Sequence, residues 1–295
     1  MRFIKYIMSN ECKNCYANES KQLFSLNDYI IKKCNNCSII YNSNFPPQKN
    51  IENSFSDHYY KTVQSEAFKD DFIDNTKDPS YEIYTNTLVK IDNLNKNGGR
   101  KLLEIGYGRG TFLKTAIQNN WEVEGVDISK DAFKYVRKNI TKNVQCGEFI
   151  KLYDNKEKFD SIFFWDSIEH INYPAKYFIK ANSLLIKSGT LVITTDRYDS
   201  FVGFLSAILY YISFGLFKYP VRRTFIPYNS FYFTKNSIKK LLIQSGFKII
   251  EIKGIDYPIS KINLNFFEKT ILRTIYILGK ITRLESQLYI IAKKI

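Results

Sequence analysis

From residue 101 onward, short apolar runs alternate with stretches of helical periodicity, and this alternation constrains the fold more than any other feature of the sequence. Strands are expected at five runs: Lys101–Ile105, Trp121–Val126, Asn143–Cys146, Phe159–Trp165 and Gly189–Thr195. Helices are expected between them at Thr111–Asn119, Lys130–Lys138 and Ala175–Ile186. Strands and helices that alternate at this pace predict an α/β fold with a doubly wound, mostly parallel sheet.

A glycine-rich loop joins the first predicted strand to the next helix. It contains Glu104, Gly106, Gly108 and Gly110, and glycines let a backbone turn sharply and approach a ligand closely. A nucleotide can then lie near the N-terminus of the helix. The third glycine comes one position earlier than in the dinucleotide fingerprint G-x-G-x-x-G. The carboxylate of Glu104 favours a ligand that carries an amine or a positive charge over a pyrophosphate.

The second predicted strand is followed directly by Asp127. An acidic side chain at this point can accept hydrogen bonds from both hydroxyls of a ribose. Aspartate is also a favoured N-cap, so capping of the next helix is the alternative role. Because Asp127 accompanies the glycine loop, we expect it to bind a ribose.

Four of the five cysteines form two closely spaced pairs near the N-terminus. Cys12 and Cys15 are separated by eighteen residues from Cys34 and Cys37, a spacing typical of a four-thiolate zinc site. Residues 25–33 are suited to a hairpin that brings the second pair back to the first. We expect the zinc to be structural, because four thiolates leave no open coordination position. Two disulfides or four free thiols are the alternatives.

The glycine loop together with Asp127 resembles the class I S-adenosylmethionine (SAM)-dependent methyltransferases. Four later segments resemble that family in the same order: Trp165–His170, Leu184–Thr195, Phe233–Thr234 with Leu241–Phe247, and Leu288–Lys293. The resemblance covers residues 99–295 and implies an enzyme with a Rossmann-like, seven-stranded sheet. With the cysteine module in front, the chain resembles a bacterial subgroup that carries an N-terminal zinc ribbon, often linked to surface-polysaccharide biosynthesis.

The resemblance also implies roles for individual residues. It assigns SAM binding to the following set: Glu104, Gly106, Tyr107, Gly108, Gly110, Asp127, Ile128, Glu148 and Asp166. Within this set, Glu104 would lie near the ammonium group of SAM, and Asp127 would bind the ribose. Ile128 would pack on the adenine, and Glu148 would lie near the adenine amine. Asp166 would border both SAM and the methyl acceptor.

Two residues near the end of the fourth predicted strand, Asp166 and His170, are the expected catalytic residues. Open α/β sheets bind their ligands at this edge. Methyl transfer is an in-line displacement, and it needs a base only when the acceptor holds a proton of high pKa. His170 is expected to act as that base or to contact the acceptor, with helix capping or packing as the alternative. A divalent metal bound by Asp166, Glu169 and His170 is a further alternative.

These features predict three parts of the chain: residues 1–45 form the four-cysteine zinc-binding module, 46–98 a linker and helical segment, and 99–295 the methyltransferase domain. Within the last part, 201–232 is expected to be a lid or acceptor-binding insertion, with a buried helix as the alternative. Residues 201–217 carry no charge but are too few to span a membrane. The cations that follow at Lys218, Arg222 and Arg223 would suit a lipid-linked acceptor or a peripheral membrane contact.

The charge of the chain favours anionic partners without choosing among them. There are 43 Lys and Arg against 29 Asp and Glu, a formal net charge of +14. No secretory signal is recognisable at the N-terminus, which indicates a cytoplasmic protein. We expect methyl transfer to a small-molecule or glycan acceptor, including a nucleotide- or lipid-linked sugar. RNA or protein methylation is an alternative that the dispersed basic residues do not favour. A non-catalytic, zinc-stabilised adaptor is the other alternative.

Overall fold

The fold is described from a computed structural model that defines residues 11–44, 74–95, 99–154 and 159–295. Of the linker and helical segment expected at 46–98, residues 46–73 and 96–98 lie outside these ranges. The described residues form eleven strands: β1 (Ser20–Ser25), β2 (Ile30–Cys34), β3 (Ile40–Asn42), β4 (Lys101–Ile105), β5 (Glu122–Asp127), β6 (Val144–Cys146), β7 (Phe159–Trp165), β8 (Leu185–Asp196), β9 (Phe231–Tyr232), β10 (Phe247–Ile255) and β11 (Gln287–Lys294).

The same residues form nine α-helices, most of which follow a strand. They are α1 (Tyr81–Leu94), α2 (Thr111–Gln118), α3 (Lys130–Asn139), α4 (Phe149–Leu152), α5 (Pro174–Leu184), α6 (Phe201–Ile212), α7 (Tyr219–Thr224), α8 (Lys235–Gln244) and α9 (Phe266–Thr282). Short 3-10 turns occur at Asn75–Lys77, Ile168–His170 and Ile259–Lys261. No helix in the described ranges is both long and apolar enough to cross a membrane.

Seven strands form the main sheet in the order β10-β11-β8-β7-β4-β5-β6. Strands β4 to β8 run parallel, whereas β11 is antiparallel to both β8 and β10. This arrangement confirms the predicted Rossmann-like, mostly parallel, seven-stranded sheet. It also brings the carboxyl ends of β4, β5, β7 and β8 to one edge, where such sheets bind ligands.

The predicted boundary between α5 and β8 differs from the observed one. The helix was expected to reach Ile186 and the strand to begin at Gly189, but α5 ends at Leu184 and β8 begins at Leu185. The reason is the pairing of Phe159 with Leu185, which starts the β7–β8 ladder before a bulge shifts its register.

Apolar side chains cover both faces of the main sheet. Along β7, Ile162 and Phe164 pack on the side of α5, and Phe163 and Trp165 pack on the side of α2. A central parallel strand has helices on both faces and is therefore apolar at nearly every position. This explains why the segment 159–165 is recognisable as a strand from composition alone.

The N-terminal module forms a second, four-stranded antiparallel sheet in the order β1-β2-β3-β9. Strands β1 and β2 form the hairpin expected around residues 25–33. The fourth strand, β9, comes from the insertion 201–232, and Tyr41 is paired with Phe231. Module and insertion share one apolar core, composed of Phe24, Leu26, Tyr29, Ile31, Ile40, Tyr210, Val221, Phe225 and Tyr232.

Candidate functional site

The glycine loop between β4 and α2 adopts a backbone conformation that favours glycine at three positions. The φ angles of Gly106, Gly108 and Gly110 are +79°, +51° and +76°. A Cβ on Gly106 would lie 2.6 Å from the Cβ of Ser167, so the loop passes directly over the start of the segment after β7. A Cβ on Gly108 would meet no described atom within 4 Å. The loop therefore borders open space at Gly108, where a ligand can approach the backbone.

Glu104 lies at the base of this loop, inside the protein. Its side chain is only 3% exposed, and its Oε2 has no hydrogen-bond partner among the described residues. Burial and the nearby charge of Asp127 raise the pKa of the Glu104 carboxyl well above its usual value. A buried carboxylate without a partner is unfavourable, and a bound cation would compensate for it.

Asp127 ends β5 beside the loop and connects it to the next helix. One carboxylate oxygen accepts a hydrogen bond from the backbone N–H of Gly108 at 2.8 Å, and the other accepts one from Ser129 at 2.8 Å. Ser129, rather than Asp127, caps α3, because its hydroxyl accepts the N–H of Ala132. Each Asp127 oxygen retains a second lone pair that can accept a ribose hydroxyl.

The backbone of Tyr107 is part of the glycine loop, whereas its side chain is part of the core. The side chain is buried, and a Cβ on Gly125 would lie 2.7 Å from the Tyr107 ring. Its hydroxyl donates to the carbonyl of Gln145 at 3.4 Å. The side chain of Tyr107 thus holds the loop against β5 and β6, and its backbone is the part that borders the open space.

Ile128 and Glu148 follow β5 and β6 at the same edge of the sheet. The N–H of Gly147 donates to the carbonyl of Asp127 at 2.9 Å, which keeps the two strand ends together. Ile128 is half-buried, and Glu148 forms an ion pair with Lys151. The two residues assigned to the adenine are therefore close neighbours of Asp127.

Asp166 follows β7 at the adjoining part of the edge. It is exposed, and its φ angle of +46° is unusual for a residue other than glycine, which is a feature common at functional sites. Gln287, on β11, donates from Nε2 to Asp166 at 3.0 Å and to Asp196 at 3.4 Å. Asp166, Gln287 and Asp196 thus form a continuous polar wall, named here the carboxylate wall.

Two further residues complete the carboxylate wall. Asn229 donates to Asp196 at 3.2 Å, and Glu169 accepts from Thr195 at 3.0 Å. Burial and the charge of Asp166 raise the pKa of Asp196 to about 6. Burial and the neighbouring carboxylates raise the pKa of Glu169 well above its usual value. No sequence motif marks Asp196, Gln287 or Asn229 as site residues; Asp196 alone has a local signal, its position directly after a predicted strand.

His170 lies in the turn after β7, and its ring contacts the backbone of Tyr228. Its Nδ1 lies 3.0 Å from the carbonyl of Tyr228, so Nδ1 carries the proton and Nε2 is the basic nitrogen. Burial lowers the pKa of His170 to about 4, and the imidazole is neutral at physiological pH. Among the described residues, four cysteines form the one group of His, Cys, Asp or Glu side chains placed to share a metal. Asp166, Glu169 and His170 do not form such a group.

The segment before and within α1 also borders the loop. Asp78 and Lys261 form a buried ion pair at 2.6 Å that joins this segment to the turn after β10. The ring of Tyr84 packs against Phe112 and Trp165. Burial, followed by the charges of Asp78, Asp166 and Glu104, raises the pKa of Tyr84. No local sequence signal indicated that α1 would approach the site.

The four N-terminal cysteines come together as predicted from their spacing. All four sulfur atoms lie within 4.8 Å of one another; Cys12 Sγ is 3.7 Å from Cys37 Sγ, and Cys15 Sγ is 3.5 Å from Cys34 Sγ. A tetrahedral zinc with Zn–S bonds of about 2.3 Å requires sulfur separations of roughly 3.8 Å. The cysteines form no disulfide, so the disulfide alternative is excluded in this structure.

The two cysteine pairs lie in turns with the same backbone pattern. Cys12 accepts from the N–H of Tyr16 and donates to the carbonyl of Ala17; Cys34 does the same with Ser38 and with residue 39. Tyr16 and Ser38 both have φ angles near +60°. In the absence of a metal, the contact with Cys12 lowers the pKa of Cys37 to about 5. The repeated turns and the four converging sulfurs are compatible with one zinc ion.

Comparison with known proteins decides the family. A profile described as "Methyltransferase domain" matches residues 83–252, more than half of the chain. The chain belongs to the methyltransferase family. It is an enzyme of the class I SAM-dependent type, as its sheet order and glycine loop also indicate. A search of curated proteins gave no match to this methyltransferase.

Solved structures show how widely the fold of this methyltransferase is shared. A SAM-dependent methyltransferase from Archaeoglobus fulgidus has a TM-score of 0.51 at 22% identity, over 80% of this chain and 100% of the other. Magnesium protoporphyrin IX methyltransferase from Synechocystis PCC 6803, with bound SAH, has a TM-score of 0.53 at 12% identity, over 84% and 100%. The [4+2]-cyclase SpnF has a TM-score of 0.54 at 14% identity, over 84% and 96%. These likenesses concern the fold alone.

The residues of the methyltransferase fit SAM at two points. The buried Oε2 of Glu104, which has no partner among the described residues, suits the ammonium group of the amino-acid part of SAM, and the space at Gly108, free of described atoms, allows a ligand to contact the loop backbone. SAM supplies an electrophilic methyl group on a sulfonium. The protein has to hold the acceptor in line with that group and keep its nucleophilic atom unprotonated at the moment of attack.

Proposed function

We propose that this enzyme transfers a methyl group from SAM to a small-molecule or glycan acceptor bound between the glycine loop and the carboxylate wall. The binding of SAM is supported chiefly by the buried carboxylate of Glu104, whose Oε2 has no partner among the described residues, and by the absence of described atoms near a Cβ at Gly108. The loop glycines, the backbone of Tyr107 and Glu104 bind the amino-acid part. Asp127 binds the ribose, and Ile128 with Glu148 border the adenine.

The carboxylate wall supports the choice of acceptor class. Asp166 is exposed at this edge, and the amide of Gln287 lies between it and Asp196. Carboxylates and amides bind hydroxyl groups or amines well, whereas the carboxylates repel a phosphate backbone. A polyhydroxylated or amine-bearing small molecule or sugar therefore fits the wall better than RNA does. The net charge of +14 favours RNA as the second candidate.

Three residues are proposed to act on the acceptor: Asp166 and Asp196 of the carboxylate wall, and His170 in the turn after β7. Asp166 and His170 contact the acceptor and orient it, with His170 Nε2 as a hydrogen-bond acceptor. Asp196 is the base, because its pKa of about 6 lies nearer to neutral than the pKa of about 4 of His170. A base is most effective when its pKa lies near the working pH.

Removing the carboxylate of Asp127, which is proposed to bind the ribose, tests the cofactor site. Asp127→Ala is expected to weaken SAM binding about tenfold to a hundredfold, because a charged acceptor shared by two hydroxyls is worth on the order of 1.5–3 kcal/mol. Isothermal calorimetry on the purified enzyme gives the affinity directly. Glu122→Ala, at the exposed opposite end of β5, is the matched control and should bind SAM like the wild type. Wild-type affinity in a folded Asp127→Ala would refute the assignment.

The pH dependence of turnover tests whether Asp196 is the base. A carboxylate accepts a proton only when ionised, so we expect kcat to fall as the pH falls through about 6, the pKa of Asp196. Asp196→Asn should lower kcat about a hundredfold and remove that inflection. His170→Gln should mainly raise KM for the acceptor and keep the inflection. A rate that stays level down to about pH 5, with the larger loss in His170→Gln, would make His170 the base.

A further inference from the structure

Helices α6 and α9 lie side by side on the insertion side of the protein and run in opposite directions. At one end, the N–H of Phe201 donates to the carbonyl of Leu284 at 2.7 Å. At the other end, the hydroxyl of Tyr219 donates to Glu268 at 3.2 Å. The second contact brings the segment after α6 next to the start of α9.

Large apolar side chains protrude at this second end. The set, named here the apolar tip, consists of Ile212, Phe214, Leu216, Phe217, Phe266 and Phe267. Phe214 is 94% exposed, Leu216 85% and Phe266 83%. Single exposed apolar residues are ordinary, but a cluster of this kind marks a surface that is covered by a partner or a membrane.

The charges around the apolar tip indicate what covers it. Residues 201–224 contain three cations and no acidic residue, and residues 266–283 contain four cations and a single acid, Glu268. Both oxygens of Glu268 are already engaged, one by Tyr219 and the other by the N–H of Asn265. Arg223 on α7 and Arg273 on α9 are exposed on the same two segments, and Arg222 is exposed and lies 4.0 Å from Asp28. A second copy of this chain would bring like charges face to face, whereas an anionic surface would be attracted.

We propose that the apolar tip inserts into the headgroup region of an anionic lipid membrane, with the surrounding arginines and lysines contacting the lipid phosphates and carboxylates. Aromatic and aliphatic side chains flanked by cations bind such interfaces, and each cation adds electrostatic attraction. The protein then lies on the membrane without crossing it. The inference extends beyond methyl transfer and does not depend on the identity of the acceptor.

Sedimentation with lipid vesicles tests the inference on the full-length chain. The protein should bind vesicles of phosphatidylcholine with about 30% phosphatidylserine and bind pure phosphatidylcholine at least about tenfold more weakly. Phe214→Ser combined with Leu216→Ser should lower the partition coefficient about tenfold or more. Ile179→Ser, an exposed apolar residue on α5 outside the tip, is the matched control and should bind normally.

A second pair of variants tests the charges separately. Arg223→Glu combined with Arg273→Glu should weaken binding to the anionic vesicles about tenfold or more. Added salt should also weaken the binding of the wild-type protein to these vesicles. Lys239→Glu combined with Lys240→Glu, on the exposed side of α8, is the control of equal charge change. SAM binding by calorimetry should be the same in all these variants, which separates this inference from the proposed function.

Three results would overturn the inference. One is a folded wild-type protein that does not sediment with the anionic vesicles at low salt. Another is equal binding by the tip variants and the wild type. The third is self-association, seen by light scattering, that disappears in the Phe214→Ser variant, since the tip would then be covered by a second copy of the chain.

Discussion

Cys34→Ser is expected to abolish zinc binding and to lower the melting temperature of the protein by about 10 °C or more. Cys34 is buried and supplies one of four converging sulfurs, and structural zinc contributes on the order of 10 kcal/mol to small metal-bound modules. Metal analysis of the wild type under reducing conditions should give one zinc per chain. Thermal unfolding of both proteins then gives the change in stability.

The fifth cysteine provides the matched control for this experiment. Cys146 ends β6, outside the cluster, and its thiol donates to the carbonyl of Ile128 at 3.8 Å. Cys146→Ser should keep one zinc and a nearly unchanged melting temperature. SAM binding at the glycine loop should survive in Cys34→Ser, because the loop rests on β4 and β5. A wild-type protein with no zinc, or a Cys34→Ser variant with full zinc, would contradict the four-thiolate site.

Glu104→Gln is expected to stabilise the protein without ligand while weakening SAM binding about tenfold to a hundredfold. In the absence of SAM, the carboxylate is buried with an unpaired oxygen, and the neutral amide avoids the unfavourable burial of its charge. With SAM bound, the same carboxylate would face the ammonium group, an interaction that the amide loses. Thermal unfolding with and without SAM measures both effects in one experiment.

The pH dependence of stability provides a second test of the role of Glu104. The pKa of Glu104 is raised in the folded state, so its contribution to stability is complete below the unfolded pKa and is lost as the pH rises through the folded pKa. The two ligand-free proteins should therefore be similar near pH 4 and diverge toward neutral pH. Glu122→Gln, an exposed control on β5, should show no such divergence. If Glu104→Gln is less stable than the wild type at neutral pH without SAM, the interpretation of Glu104 is wrong.

The parts of this structure that were predictable from sequence are those with local patterns. The strand 159–165 is buried on both faces and is apolar at five of its seven positions, and β4 and β7 have the bounds that composition predicted. The glycine loop and the cysteine pairs are likewise defined by short spacings, because the chemistry of a close turn or a tetrahedral ion fixes them. Asp127 could be placed because a strand end determines where its side chain points.

The parts that were not predictable depend on contacts between distant segments. Gln287 joins Asp166 to Asp196 only because β11 lies next to β8 in the sheet. The ion pair of Asp78 with Lys261 joins residues more than 180 positions apart. Phe231 and Tyr232 form a strand too short to show any alternation, so no pattern indicated that β9 completes the N-terminal sheet.

The pairing of β3 with β9 also determines the order in which this chain can fold during synthesis. Both cysteine turns lie within the first 40 residues and can bind zinc as soon as they leave the ribosome, whereas Tyr41 must wait for Phe231. Closing so long a loop is slow, because its entropy is lost before the new contacts form. Until then, β1, β2 and β3 pair with one another while one edge of β3 stays unpaired, and a zinc ion bound by the four cysteines would hold the two turns together. Such an ion would act first on the nascent N-terminal module and only later as one element of the finished core.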